Sequence, residues 1–291
     1  MATDPEPGER TSTARLHDGT QIEVVTVGRG PHVLLLVRPR PHDPDAATAM
    51  RQWGADPDAG ATLVHGLADT RTVVAADYEG HRLASPAPDT LTPDAVAADL
   101  LAVADAAGAE RFVCYGYSWL ALAALQLAVR TDRLTGLVMG GFPPVGGPYA
   151  EMLAVTRAAH AMAVAQSDAA APDGPEVEPG DWSAVRVQTG SGQTRQFVTL
   201  YEALQDVDDA AASARLDVPR ACFAGELDVI EYGPDWGGVR VAIGEALARY
   251  RDELQAAGWA VELLPGLDHL TAAHGDVVLP LLRRRLPVAA A

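Results

Sequence analysis

The stretch from Arg111 to Val129, RFVCYGYSWLALAALQLAV, constrains this chain more than any other. Its apolar run Phe112-Val113-Cys114-Tyr115 breaks at Gly116-Tyr117-Ser118, then resumes in a segment too long to be a strand. Strand, sharp serine-bearing turn and buried helix, in that order, are the parts of a nucleophile elbow. Gly116 lets the backbone turn where a side chain would collide. Ser118 is left at the helix N-terminus, where unpaired N–H groups can stabilise an anion. The combination points to acyl-transfer chemistry. The G-x-S-x-G pattern is incomplete, because Leu120 stands where the second glycine is expected. The surrounding sequence therefore has to carry the case.

A chain of 291 residues, 48% hydrophobic and 21% charged, can bury a large core as one α/β domain or two smaller ones. Its formal net charge of −17 argues against nucleic acid or an anionic membrane as partner, since both need basic patches. The one basic cluster, Arg283-Arg284-Arg285, falls where a final helix would end and suits the helix dipole. Cys114 and Cys222 each fall in an expected central strand. They read as buried apolar residues in a reducing cytoplasm, not as a disulfide or metal site. Residues 1–10, MATDPEPGER, lack the apolar core of a signal peptide and are expected to fray. No apolar run approaches membrane-spanning length.

Taken in order, Thr13–Leu16 and Gln21–Val27 alternate and are joined through Asp18-Gly19, a hairpin signal. Val33–Val37 and Thr72–Ala76 are continuous aliphatic runs suited to strands covered on both faces. Helical stretches are expected at Ala46–Trp53, near Leu63–Leu67, and from the capping Thr92-Pro93-Asp94 to Gly108. After the elbow, Leu134–Met139 is the next strand. Strand–helix alternation of this kind predicts parallel pairing with helices on both faces. The rhythm fails at Gly140–Gly147, and no further buried strand is expected before Arg220–Ala224. Between them lie helical stretches at Glu151–Ala165 and Arg195–Gln205 and an acidic Pro/Gly loop around residues 171–180. This reads as an inserted cap, too apolar for a solvated linker. A helix near Val241–Leu254, a strand Ala260–Leu264 and a final helix Val277–Leu286 complete the core. The expected organisation is residues 1–10 disordered, 11–142 and 219–287 the two parts of the core, and 143–218 the cap.

A serine hydroxyl needs a base that is itself oriented by an acid. In such a fold both follow the serine, acid first, each at the end of a later strand. One such strand runs into Gly225-Glu226-Leu227-Asp228, another into Gly266-Leu267-Asp268-His269. With these loops in place the chain resembles the α/β-hydrolase fold from the first hairpin to the last helix, least in the cap. GYS matches the elbow, GELD the acid loop and GLDH the histidine loop. Asp77-Tyr78-Glu79-Gly80-His81-Arg82-Leu83-Ala84-Ser85 resembles the D-x-R-G-H-G-x-S loop. The resemblance implies a three-layer α/β fold with a mostly parallel sheet and an inserted helical cap. It also implies Ser118 as nucleophile, Asp228 as acid, His269 as base and Trp119 as source of one oxyanion-hole N–H.

Rival residues exist. Glu226 competes with Asp228, and His274, better suited to flanking the final helix, with His269. His65-Gly66 imitates an oxyanion motif but falls inside a helical segment and is read as a decoy. His160 is read as a partly exposed helix residue, and Asp77 and His81 as holding their loop by hydrogen bonds.

One departure matters. Where His-Gly is usual after the first parallel strand, this chain has Val37-Arg38-Pro39-Arg40-Pro41. Proline has no N–H to donate, so the second oxyanion donor is Arg40 or is missing. The guanidinium of Arg38 or Arg40 would suit a substrate carboxylate; otherwise both point to solvent. Further substrate contacts are expected from Tyr117, Met152, Trp182 and Tyr201.

The leading expectation is a serine hydrolase with no cofactor and no metal, cleaving a small or medium ester, lactone or thioester. The alternatives are a lyase or cyclase on the same site and a ligand-binding protein on a retired hydrolase fold. The partner is a small-molecule substrate, the location cytoplasmic, and the oligomeric state is left open, a homodimer included.

Overall fold

The computed structural model describes residues 8–167 and 189–286. Its strands are β1 (Arg10–Arg15), β2 (Gln21–Gly28), β3 (His32–Leu35), β4 (Thr72–Ala75), β5 (Phe112–Tyr117), β6 (Leu134–Gly140), β7 (Arg220–Gly225), β8 (Val229–Glu231), β9 (Arg240–Ala242) and β10 (Trp259–Leu264). Eight of them form one sheet in the order β1-β2-β4-β3-β5-β6-β7-β10; β8 and β9 pair separately as an antiparallel arm. From β4 to β10 every pairing in the large sheet is parallel, and the β1–β2 hairpin adds antiparallel to β4. The carboxyl ends of β5, β7 and β10 therefore share one rim.

The helices are α1 (Pro44–Gln52), α2 (Ala59–Leu67), α3 (Tyr78–Ala84), α4 (Pro93–Ala106), α5 (Trp119–Ala128), α6 (Tyr149–Ser167), α7 (Ser191–Ala203), α8 (Asp209–Ala214), α9 (Ile243–Arg249), α10 (Arg251–Ala256) and α11 (Gly275–Arg285). Period-two alternation sorts the strand residues between two cores. Leu34, Cys114 and Cys222 face the side holding α4 and α5, whereas Leu35, Tyr115 and Phe223 face α2 and α11. Both cysteines are buried and free. The result is a three-layer arrangement around a mostly parallel sheet, as expected.

The boundaries differ in instructive places. The helix expected at Val241–Leu254 begins as strand β9, because Val241 pairs with Ile230 across the arm, and it breaks at Tyr250 into α9 and α10. Residues 77–85 form a short helix instead of a loop, with Asp77 capping α3 by accepting from the Gly80 N–H. Thr92 caps α4 as its sequence predicts, accepting from the Ala95 N–H. Gly66 of the His65-Gly66 pair is a packing residue inside α2; a side chain there would strike Leu279 of α11. Trp182 and the acidic loop around residues 171–180 lie outside the described residues.

The hairpin is pinned to α4 by a buried polar cluster. Asp99, fully buried, accepts from the His17 main-chain N–H at 2.7 Å and from the Tyr78 hydroxyl at 2.7 Å, and stands 2.9 Å from His17 Nδ1. His17 Nε2 in turn lies 3.1 Å from the Thr90 hydroxyl. Burial, reinforced by the Asp99 charge, pushes the Tyr78 phenol far up, so it stays a donor. Beside it, fully buried Arg82 donates to Asp18 at 2.9 Å. His81 Nε2 lies 2.9 Å from the Thr20 hydroxyl, so this segment is held by hydrogen bonds to the hairpin.

Candidate active site

Ser118 adopts φ 57 and ψ −131, and among the described residues it is the one non-glycine with positive φ. Such a conformation costs roughly 1–3 kcal/mol and persists where surrounding structure fixes it. Here the Ser118 N–H donates to the Gly140 carbonyl at 2.8 Å, while β5 holds the preceding residue in the sheet. Gly116 is obligatory, since a Cβ there would sit 2.2 Å from the Leu120 carbonyl oxygen. That close approach is made at Gly116, so position 120 needs no glycine. The Leu120 side chain instead packs into the core at 8% exposure.

Ser118 Oγ lies 3.1 Å from His269 Nε2, and His269 Nδ1 lies 2.9 and 3.1 Å from the two oxygens of Asp228. A carboxylate only accepts, so Nδ1 carries the proton and the Nε2 lone pair faces the serine hydroxyl. Asp228 is completely buried and follows β7; His269 follows β10, one strand further along the rim. The histidine loop is fixed from two sides. Asp268 accepts from the Leu270 N–H and from both the N–H and hydroxyl of Thr271. Burial alone would raise the Asp268 carboxyl, but the Thr271 and Leu270 hydrogen bonds hold it below its usual range. On the other side the Tyr117 hydroxyl donates to the His269 carbonyl at 2.7 Å.

Trp119 opens α5, so its main-chain N–H has no acceptor within the helix and is open to an oxyanion beside Ser118. Its indole N–H donates to Glu79 at 2.7 Å, and its ring meets Phe197 of α7 edge-on.

Ser118, Trp119 and His269 open onto a cavity of about 330 Å³. Met152 and Val155 of α6, Phe197 and Tyr201 of α7, and Ile230, Tyr232 and Trp236 of the β8–β9 arm supply most of its apolar wall. Gln193, also on the wall, is pinned at both ends, donating to the Leu83 carbonyl and accepting from the Gly190 N–H.

Three expected contacts are placed elsewhere. Arg38 is drawn to Asp77 at 3.1 Å, and Arg40 to Glu9 at 2.6 Å and Glu23 at 3.6 Å. Both arginines line a separate cavity with Glu23 and Asp77, so their guanidiniums are neutralised away from the serine. Tyr117 holds the histidine loop and is not among the cavity residues. Met152 and Tyr201 do line the cavity.

The rival residues are engaged differently. Glu226 is exposed and accepts from the Gly266 N–H at 3.3 Å, His274 Nε2 bonds the Gly54 carbonyl at 2.7 Å, and His160 lies 3.1 Å from the Thr194 hydroxyl. Ile230, Tyr232 and Trp236 of the arm line the cavity without having been expected there from sequence. The signal was present in the alternation of Val229–Tyr232 and Val239–Ala242 about a Pro-Asp-Trp-Gly-Gly turn.

Among solved structures the chain is similar to E-2-(acetamidomethylene)succinate hydrolase, at 16% identity and TM-score 0.59 over 96% of this chain and 99% of that one. It is also similar to the enol-lactonase of Burkholderia xenovorans LB400, at 20% identity and TM-score 0.60 over 94% and 99%. The chain has the α/β-hydrolase fold. A carboxylesterase of Bacillus subtilis matches at 13% identity and TM-score 0.56, over 97% of this chain and 92% of that one. No family profile and no curated relative matches the sequence. Among the described residues of this α/β-hydrolase-fold chain, no helix is long and apolar enough to cross a membrane, and no group of three or more His, Cys, Asp and Glu is placed to hold a metal ion.

Proposed function

We propose that this chain is a serine hydrolase acting on an ester-type bond, whether ester, lactone or thioester, in a small or medium substrate of largely apolar character. The observation that carries the proposal is the 3.1 Å approach of Ser118 Oγ to His269 Nε2, with buried Asp228 behind the imidazole and an apolar cavity in front. His269 takes the serine proton as Oγ attacks the carbonyl carbon, and Asp228 favours the imidazolium so formed. The proton then passes to the leaving group, and a water activated by His269 releases the acyl group from Ser118. The Trp119 N–H stabilises the developing oxyanion. The cavity wall binds the apolar part of the substrate and excludes water. Similar solved structures whose names state carboxylesterase and enol-lactonase activities support an ester-type bond, and others are named as epoxide hydrolases.

Labelling with a fluorophosphonate tests this reading. Wild-type protein is expected to form the adduct, and Ser118→Ala to form none while remaining folded. Equal labelling of the two would remove Ser118 from the mechanism.

One observation favours a second reading. Pro39 lacks an N–H on the segment that usually completes an oxyanion hole, and losing one such donor costs about 2.7–4 kcal/mol of transition-state stabilisation. A lyase or cyclase, in which His269 moves protons and Ser118 only orients substrate, needs that donor less. An acyl adduct on Ser118 seen by intact mass during turnover would exclude it.

A further inference from the structure

Besides Ser118 and His269, the cavity wall carries Thr156, Thr189, Gln193, Thr194 and two phenols; the side chains of Thr156, Gln193 and Thr194 are hydrogen-bonded within the protein, and the phenols are not. Tyr201, on α7, is 2% exposed, yet its hydroxyl has no hydrogen-bond partner among the described residues. Its oxygen is not among the polar atoms sealed without a partner, and the residue lines the cavity. Tyr232, at the outer end of β8, lines the same cavity, and its hydroxyl also lacks a partner among the described residues. The two phenols sense one another: charge on Tyr232 would raise the Tyr201 phenol. Burial pushes Tyr232 up to about 12 and Tyr201 higher still, so both are neutral donors at any working pH. Tyr201 is buried and Tyr232 half-buried, and a hydroxyl facing a cavity is completed by water or by an acceptor on the ligand that displaces it. The ligand group that suits two neutral O–H donors is an uncharged acceptor. No Lys, Arg, Asp or Glu is among the residues lining this cavity, so a carboxylate or ammonium seated there would have no counter-charge.

We propose that Tyr201 and Tyr232 form a two-donor recognition point for a neutral acceptor oxygen, a ketone, ether or lactone oxygen, on an otherwise apolar substrate held before Ser118. The inference rests on the reading of this cavity as the substrate site and adds the chemistry selected there. Tyr201 comes from the helices between β6 and β7, Tyr232 from the arm that begins next to Asp228. An oxygen bridging them ties the two walls together across the ligand. Phenylalanine at both positions keeps the apolar wall and removes only the donors.

The test is equilibrium binding, which needs no turnover. Calorimetry with Ser118→Ala protein compares three probes: methyl cyclohexanecarboxylate, its para-keto analogue, and the analogue with a carboxylate at the same ring position. The keto probe is expected to bind about tenfold tighter than the hydrocarbon, and the carboxylate weakest. In the same background Tyr201→Phe and Tyr232→Phe each reduce the keto preference, and together bring it within about twofold. Equal binding of keto and hydrocarbon probes by protein with both tyrosines would overturn the inference with no variant required. So would tighter binding of the carboxylate, no measurable binding of any probe, or a preference surviving the double substitution. The hydrolase reading fails independently, through absence of Ser118-dependent fluorophosphonate labelling, and that result leaves the keto preference to stand or fall on its own.

Discussion

The same row of groups, carboxylate, imidazole and hydroxyl, occurs twice in this molecule. At the sheet rim Asp228 stands 2.9 Å from His269, and His269 is 3.1 Å from Ser118. At the hairpin Asp99 stands 2.9 Å from His17, and His17 is 3.1 Å from Thr90. Distances alone do not separate them. The surroundings do: Ser118 sits at a strained turn, at the start of a helix and over an apolar cavity. Thr90 has ordinary backbone geometry and faces solvent. Asp99 also accepts from Tyr78 and the His17 main chain, as a structural anchor does, whereas the Asp228 carboxylate is turned on a single imidazole. A hydrogen-bonded row becomes catalytic machinery only where a substrate carbonyl can reach its hydroxyl and an N–H can receive the charge.

The largest expected effect separates the two hydroxyls. Ser118→Ala should lower kcat on p-nitrophenyl esters by about 10⁴-fold or more, while Thr90→Val stays within about twofold of wild type. Comparable losses in both variants would erase the distinction. Next come the two carboxylates. Asp228→Asn should lower kcat by about 10⁴-fold with an unchanged fold, because the imidazole loses its enforced tautomer. Asp99→Asn should instead cost about 3 kcal/mol in urea unfolding, with kcat per folded molecule retained.

The smallest effect is a pH dependence beside the hairpin row. Burial would raise the Asp18 carboxyl, but hydrogen bonds from Thr20 and Arg82 outweigh it and hold the group at about 2. A folded-state value below the unfolded one, about 3.9, adds stability above that unfolded value. The contribution is lost as pH falls through the folded one. Asp18→Asn should therefore melt a few degrees lower than wild type at pH 7, and the gap should close between about pH 4 and pH 2. A gap that persists at the acid end would show that the carboxylate charge is not what holds Arg82.

The rim row was legible in sequence and the hairpin row was not, for physical reasons. Ser118 and the loop to Asp228 follow continuous apolar runs, as buried parallel strands do whatever they pair with, and the loop to His269 follows a shorter run, Ala260–Leu264, interrupted only by Glu262. His17 and Asp99 lie 82 residues apart, on a turn and mid-helix, with no local pattern linking them. The cavity wall was half legible. Met152 and Tyr201 belong to the apolar character that sets residues 143–218 apart from a solvated linker, whereas β8 and β9 are three residues each and their alternation is correspondingly faint. The arginines after β3 misled because their partners, Glu9, Glu23 and Asp77, come from three other segments. No pattern within residues 37–41 reveals those carboxylates.

The β8–β9 arm leaves and re-enters the core at nearly one point. The Gly244 N–H donates to the Asp228 carbonyl at 2.9 Å, and a side chain on Gly244 would strike the Gly225 carbonyl. The residues between form a handle whose two feet are clamped beside Asp228. Such a handle can be lengthened, shortened or swapped by recombination while the foot that carries Asp228 stays put. On the proposed hydrolase reading, a change in the arm would alter what the cavity accepts while leaving Asp228 and His269 in place.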